Sequence, residues 1–541
     1  MATPSLAMIP SAYADSKVYS VLPNNGDGDF TFNRDSSATR VGQNGLIQEV
    51  GFFGNELVTN GDFATDSDWT KGTGWTISGG KANSDGSQSS QSNLVQSGIV
   101  PINKTYKATF TVVVTSGSIV LAIGGSNAQP TVSSSGTYTF TSKATSGDSS
   151  LYFSALTNFI GSIDNVSVQE VTGDQPRLNY DISNGQVQSC PSLLLEPAST
   201  NVINYSEDFS NSAWTKNNTT VASGFTSPDG TNNAYLMTDD ATDSKHGVYK
   251  LDVLSQDGNI YTRSVFVKKG TARYIVLSAR HLPTSSGTGW IYDFNINNWV
   301  LTGSTGVGQS IENYGNGWYR LSISHISNSN FNNDFSIGIS SGATIPDASY
   351  SGVGDTVHIW GTQVELGSYP TSYIPTNGAS QTRAAETCFG AGTSSTFNDS
   401  EGVLYAEISA LVNPTSQEVA LCISEGQSGA NRLLIRIKTN GAIGIVLRVA
   451  NTTEATIDSG VLNQLSSHKV AVKWKVNDIA LWIDGVEVGT DNSANVFSAN
   501  TLDEVSFNQG NNSNQFYGNT RDIRVFNEAL TDAQLQTLTT L

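Results

Sequence analysis

Val470 to Val488 reads VAVKWKVNDIALWIDGVEV. Val470 to Val476 and Ile479 to Ile483 are alternating runs, and a third begins at Val486. Period two marks a strand with one face buried. Between the second and third runs stands Asp484-Gly485, the pair that closes a two-residue type I′ hairpin, because both central positions need a positive φ. The same alternation recurs outward, in Lys107 to Val114 (KATFTVVV) and Arg263 to Val267 (RSVFV). Gly, Asn, Asp and Ser interrupt it roughly every ten residues, the spacing of sandwiches and barrels. The chain therefore reads as all-β throughout, with over about 40% strand expected, well above the usual share.

Composition agrees. Of 541 residues, 14% are charged and 52 are Gly, whereas about 25% of an average soluble protein is charged. Hydroxyls and amides supply the polar surface, which suits short strands and tight turns rather than long helices. The length suits three or four domains. The net charge of −19 repels nucleic-acid phosphate and anionic membranes, and no Lys/Arg cluster offsets it. No apolar run approaches the roughly 18–20 residues of a membrane span. Neither nucleic acid binding nor membrane insertion is expected. Cys190, Cys388 and Cys422 are odd in number and far apart, so no disulfide framework or zinc knuckle is implied. Ser11-Ala12-Tyr13-Ala14 has the look of a signal-peptidase site, but the residues before it hold no Lys or Arg and are broken by Pro4 and Pro10. No signal peptide is read there.

An imperfect repeat divides the chain. LVTNGDFATDSDWTK from Leu57 corresponds to VINYSEDFSNSAWTK from Val202, and GSIDNVSVQE from Gly161 to VHIWGTQVEL from Val357. Two domains of one type are expected, over 55–173 and 201–376. A third, 377–541, follows the Gly/Ser/Thr/Ala-rich stretch Ile374 to Gly392. Thr531 and Gln534 have capping-box spacing, so a short helix should close it.

Residues 55–173 resemble carbohydrate-binding jelly-roll modules through LVTNGDF, a Trp soon after, and IDNVSVQEV. Residues 201–376 resemble the related jelly roll of phage tail-fibre and other virion proteins, through INYSEDFSNSAWTK, SVFVKKGT, GNGWYRLSIS and IWGTQVELGSYPTSYIPT. Residues 385–541 resemble a laminin-G or concanavalin A-like lectin domain, through WKVNDIALWIDGVEVG and IRVFNEALTDAQL. The stretches DFTFNRDSSATRVGQNGLIQEV from Asp29 and QPRLNYDISNGQVQSCPSLLLEPASTN from Gln175 also resemble phage structural sequence. The fold expected is two jelly-roll sandwiches and a concanavalin A-like sandwich. Residues 55–173 are expected to be inserted into a small module made of part of 1–54 and of 174–200.

These resemblances imply a structural component of a phage virion: a tail fibre, head fibre or capsid decoration. It would sit on the virion surface, often as a trimer, and present lectin-like domains to a host-surface polysaccharide or glycan. Met1 to Ser20, mildly apolar and without alternation, is expected to attach it to other virion proteins. A secreted bacterial glycan-binding adhesin is the alternative, and a polysaccharide depolymerase a third reading. The resemblance further implies a structural calcium in 55–173, with Asp164 of the last strand and Asp62 of the opening segment as ligands, against the alternative of plain exposed carboxylates. No other cofactor is expected.

Sugar rings stack their C–H faces on aromatic side chains. Trp75, Trp290 and Trp299 stand beside Gly or Asn rather than inside apolar runs, and are candidates for exposed stacking faces together with Trp482 of the hairpin. Trp69, Trp214, Trp318, Trp360 and Trp474 fall in fold motifs and are expected in the core. No catalytic residue is expected. His246, His281, His325, His358 and His468 show no metal-ligand spacing, and Gly338 to Gly342, a G-x-S-x-G match, precedes loop-like sequence rather than the helix a nucleophile elbow needs.

Overall fold

The computed structural model describes residues 2–124, 127–129, 131–145, 148–183, 185–251, 258–279, 289–303, 306–327, 334–345, 349–414 and 417–541, and all counts below are of these residues. Strands hold 52% of these residues, and one short helix is found among them. The hairpin forms as its sequence dictates. Ile483 pairs with Val486, and Asp484 and Gly485 take φ of 51° and 82°. The helix is Asp532–Thr539, and Thr531 and Gln534 cap it reciprocally.

Three antiparallel sandwiches follow one another. In the first, a six-stranded sheet built around Thr105–Ser116 and Ile160–Gly173 faces a five-stranded sheet built around Ile119–Ile123 and Leu151–Ala155. In the second, a six-stranded sheet around Ile260–Lys269 and Thr356–Leu366 faces a seven-stranded sheet around Tyr274–Ser278 and Phe335–Ser340. The repeat is visible as geometry. Phe63 packs on Trp69 with ring centroids 5.3 Å apart, and Phe209 on Trp214 at 5.0 Å. Each indole N–H donates to a nearby backbone carbonyl, Trp69 to Asn60 (3.1 Å) and Trp214 to Tyr205 (2.8 Å). Burying the indole N–H against a carbonyl nine residues upstream satisfies its polar atom while the ring fills the core.

In the third sandwich, the five-stranded sheet Thr452–Val461, Ala442–Val449, Arg432–Ile437, Val419–Ser424 and Glu504–Ser506 packs on an eight-stranded sheet centred on Glu401–Ala410 and Gly518–Phe526. The N-terminal stretch, read above as without alternation, joins this sheet. Leu6–Met8 is a strand that pairs with Gly518–Phe526, Leu6 opposite Val525 and Met8 opposite Ile523. Leu6 and Met8 are fully buried in the C-terminal core. The first residues thus bury their apolar side chains inside their own chain and need no outside surface for that purpose.

The two stretches expected to share a small module, 1–54 and 174–200, also reach this sandwich. Arg177–Asn179 and Ser192–Leu195 extend the C-terminal eight-stranded sheet through Gly518–Thr520, end to end with Leu6–Met8. Phe30–Asn33 pairs with Thr387–Phe389. The two stretches do touch each other: the Asp174 carboxylate accepts from the Arg34 and Asp35 amides at 2.6 and 2.9 Å. The first sandwich enters and leaves between them side by side, with Phe52 opposite Gly173 in one strand pair. A chain that enters and leaves one strand spacing apart is where an insertion disturbs its host least.

The first and second sandwiches meet at a polar seam. Tyr138 and Tyr205 join hydroxyls at 2.8 Å, and Glu207 lines the cavities between the two. The Glu207 carboxylate accepts from Tyr373 Oη (3.0 Å) and Asn233 Nδ2 (2.9 Å). Burial raises this carboxyl from 4.5 to about 7, against the opposing pull of those two hydrogen bonds. Between these values the native state keeps a proton that the unfolded chain has lost, so stability falls as pH rises through the window. The contribution is at most about 3 kcal/mol. Melting curves between about pH 4 and pH 8 should therefore show a loss that Glu207→Gln flattens. An unchanged slope in the variant would assign the loss elsewhere.

Candidate functional site

Where the three sandwiches and the N-terminal stretches converge, a charged cluster is buried. Arg34 follows the strand Phe30–Asn33, Arg177 opens its strand, Glu196 follows Ser192–Leu195, and Arg383 and Glu386 come from the stretch leading into the third sandwich. Their side chains are 0–4% exposed. Glu386 accepts from Arg34 Nη1 at 2.9 Å and Arg177 Nε at 2.8 Å. Glu196 accepts from Arg177 Nη1 at 2.7 Å and pairs with Arg383 Nη1 at 3.0 Å. Ser372 adds two donors to Glu196, its amide at 2.8 Å and its hydroxyl at 2.6 Å. Burial alone would raise the Glu196 carboxyl, but Arg383 and Arg177, with Ser372, outweigh it and hold it at about 2. Glu386 is likewise held low, by Arg177 and Arg34 against burial. With Asp174 beside Arg34, three guanidiniums face three carboxylates, which is what lets such groups stay charged away from water.

Between the second and third sandwiches lies a cleft, and Glu196 of the cluster lines two of its recesses. Tyr369 and Tyr517 stand in the cleft half-buried, among Asn413, Asn512, Asn514 and Gln515, around a cavity of ≈ 350 Å³. Burial raises both phenols, and the Glu196 charge at Tyr369 and the Glu386 charge at Tyr517 add to it. Among the described residues neither hydroxyl has a hydrogen-bond partner. A groove of ≈ 660 Å³ shares the Tyr369 wall and runs along Ser310, Ser322 and Ser324 of the second sandwich. A recess of ≈ 170 Å³ beyond it holds Glu312 and Arg320. Burial raises the Glu312 carboxyl, and Arg320 partly offsets this. Half-exposed rings, free phenol hydroxyls and side-chain amides are the surface that meets a sugar ring on its apolar face and its hydroxyl edge together.

The histidines are engaged elsewhere. His246 bonds the Asn218 and Tyr350 carbonyls (2.7 and 3.0 Å), His325 the Arg263 guanidinium (3.0 Å), and His468 the Asp484 carboxylate (2.6 Å). His358 lies edge-on to Phe225, and His281 lies outside the described residues. Ser340 ends its strand and donates to the Gly342 carbonyl at 2.9 Å, with no helix behind it.

Three of the four tryptophans put forward as stacking faces are buried. Trp75 is buried against Phe159 with its N–H on the Ser92 carbonyl at 3.2 Å. Trp290 is buried because Gly303 and Gly306 lie directly on its ring. Trp482 is buried beneath the C-terminal helix with Leu535 and Leu538. Trp299 is half-buried against Tyr292. A Gly or Asn beside a Trp marks a loop in sequence, yet in space it is the small residue that lets another segment close over the ring.

Asp164 and Asp62 lie in the first sandwich. Asp164 accepts from the Asn165 amide at 2.7 Å and Asp62 from the Ala64 amide at 3.3 Å. Among the described residues no group of three or more His, Cys, Asp or Glu side chains comes together. Calcium takes about 6–8 oxygens, so an ion held by these two would draw most of its shell from carbonyls and water.

Tyr369, Tyr517 and the amides carry no catalytic, metal or exposed-aromatic signature in the sequence. Tyr369 sits inside the fold motif ELGSYPTSYIPT, and the signal available was the amide-rich run GNNSNQFYGN from Gly510.

Residues 406–536 match the family model described as the concanavalin A-like lectin/glucanases superfamily. Among solved structures, the chain is similar to the CBM40 module of the Ruminococcus gnavus IT-sialidase bound to α2,3-sialyllactose, at 20% identity over 27% of this chain and 84% of that one, TM-score 0.23. It is similar to the tandem CBM22 domains of a Paenibacillus barcinonensis protein, at 10% identity over 58% and 98%, TM-score 0.24. It is similar also to domains LG4–5 of mouse laminin α1, at 12% identity over 55% and 91%, TM-score 0.19. No curated protein matches the chain.

Proposed function

We propose that this chain binds glycans in the cleft between its second and third sandwiches, and that it does so as a component of a phage virion appendage. One observation carries the binding: Tyr369 and Tyr517, half-buried and with hydroxyls unpartnered among the described residues, line one cavity with five amide side chains. The match of residues 406–536 to a lectin-type family supports the reading. A glycan array with the full chain should identify ligands. Tyr369→Ala and Tyr517→Ala should each weaken the best of them about tenfold, near 1.4 kcal/mol, with the melting temperature little changed. Equal affinity in both variants would place the sugar elsewhere.

The virion placement rests on the resemblance of the stretches from Asp29 and Gln175 and of the second sandwich to phage structural sequence. Mass spectrometry of purified virions tests it, and light scattering tests the trimer that goes with it. Recovery from the medium of phage-free bacteria would favour a secreted adhesin instead. Shortening of host capsule polysaccharide on incubation with the chain would mark a depolymerase.

A further inference from the structure

The five-stranded sheet of the third sandwich turns one face to the core and the other outward. Leu433, Ile435 and Leu447 belong to the core. The residues between them point out, and among these Arg432 and Arg448 are direct cross-strand partners. Like charges placed directly opposite on a sheet repel. The neighbouring Arg436 on the same face answers this with two carboxylates, Glu418 and Asp458, each at 3.2 Å.

Arg432 and Arg448 have no such answer. Among the described residues neither forms an ion pair. Arg432 gives one N–H to the Gln509 carbonyl, and Arg448 has no hydrogen-bond partner. The Nε atoms of both are buried and unpartnered. Burial and the Arg448 charge both press the Arg432 pKa downward, yet a guanidinium does not give up its proton in a protein. Two glycines close in on Arg432. A Cβ at Gly429 would lie 3.2 Å from its Nη1, and one at Gly510 3.5 Å from its Cδ. Both glycines are left-handed, φ 67° and 76°, so the chain can approach the guanidinium without a side chain covering it. An isolated pair of cations in a domain rich in carboxylates lacks an anion, and the described residues supply none.

We infer that Arg432 and Arg448 together bind the anionic group, carboxylate or sulfate, of an acidic sugar. Guanidinium groups suit these planar or tetrahedral oxyanions because they offer paired N–H donors. The inference rests on the reading of the chain as a glycan binder and adds the class of glycan. Gln509, Gly510 and Asn511 border Arg432, and the next residues of the same loop, Asn512, Asn514 and Gln515, enter the tyrosine cleft. The two places thus share one loop, residues 509–517.

The test uses the full chain, its Arg448→Gln and Arg432→Gln variants, and Arg448→Lys as the conservative control. Calorimetry compares a hyaluronate octasaccharide, a chondroitin sulfate octasaccharide and the carboxyl-reduced hyaluronate octasaccharide. Sodium sulfate against sodium chloride at equal ionic strength, read by melting temperature, probes the anion alone. The acidic sugars should bind at least about tenfold tighter than the neutral one. Each Gln variant should abolish that preference, and Arg448→Lys should retain part of it. The hyaluronate and chondroitin sulfate arms separate carboxylate from sulfate. Equal binding of acidic and reduced sugars, or a preference that survives Arg448→Gln, overturns the inference and leaves the glycan reading intact. Sulfate protection through Arg448 with no sugar bound overturns the glycan reading and the sugar part of the inference, leaving an anion site.

Discussion

Replacing Glu386 by Gln should destabilise the chain by about 3–5 kcal/mol. The substitution keeps the shape and removes the charge that Arg34 and Arg177 share at 2.9 and 2.8 Å. Three buried guanidiniums, Arg34, Arg177 and Arg383, then face only two carboxylates, Glu196 and Asp174. Surface pairs such as Lys104 with Glu170 should cost under about 1 kcal/mol when broken. The difference is desolvation, since a buried cation cannot fall back on water. Calorimetry should show the effect in the transition of the third sandwich, where the cluster is docked, more than in that of the first. The same cluster makes stability fall in acid. Glu196 is held at about 2, so its contribution is present above the ordinary carboxylate range and is lost as pH falls from about 4.5 toward 2. A Glu386→Gln protein within about 1 kcal/mol of the parent would show that the cluster is neutral ballast rather than a tie between the distant segments that form it.

A chain that starts at Asn24 should lose the third sandwich. The truncation removes Leu6, Met8 and Val18, all fully buried in the C-terminal core. A buried Leu or Met cut back to Ala costs about 2–5 kcal/mol, so losing all three approaches the roughly 5–15 kcal/mol that holds a domain folded. It also strips a strand from Gly518–Phe526, and with it the bond from the Ser5 amide to the Val525 carbonyl at 2.8 Å. An apolar edge left open in this way invites aggregation. The expected result is an insoluble product, or one whose highest-order melting transition is missing while the first sandwich still melts normally. Leu6→Asp in the full chain should reproduce the loss, because it places an unpaired charge in the same core. Soluble truncated protein with all its transitions would mean that the N-terminal strand merely decorates the sheet.

What the sequence determined by itself was everything that depends on neighbours in the chain. The alternation of Val470 to Val476 became a strand, Asp484-Gly485 became the turn, and Thr531 with Gln534 became the cap. The two Phe–Trp openings became the same packed pair twice. Each rests on backbone sterics or on contacts within about ten residues. The tertiary structure alone decided the rest. Leu6 found Val525 across nearly the whole chain, and three residues of a Pro-flanked segment carry no periodicity long enough to announce a strand. Arg34, Arg177, Arg383, Glu196 and Glu386 read as ordinary surface charges and are buried because each meets an opposite charge from a distant segment. Trp290 reads as a loop residue and is buried because Gly303 and Gly306 close over it. The tyrosine cleft exists only where two sandwiches approach. Burial of a side chain is a property of what packs on it, and a sequence states what a residue is but not what comes to cover it.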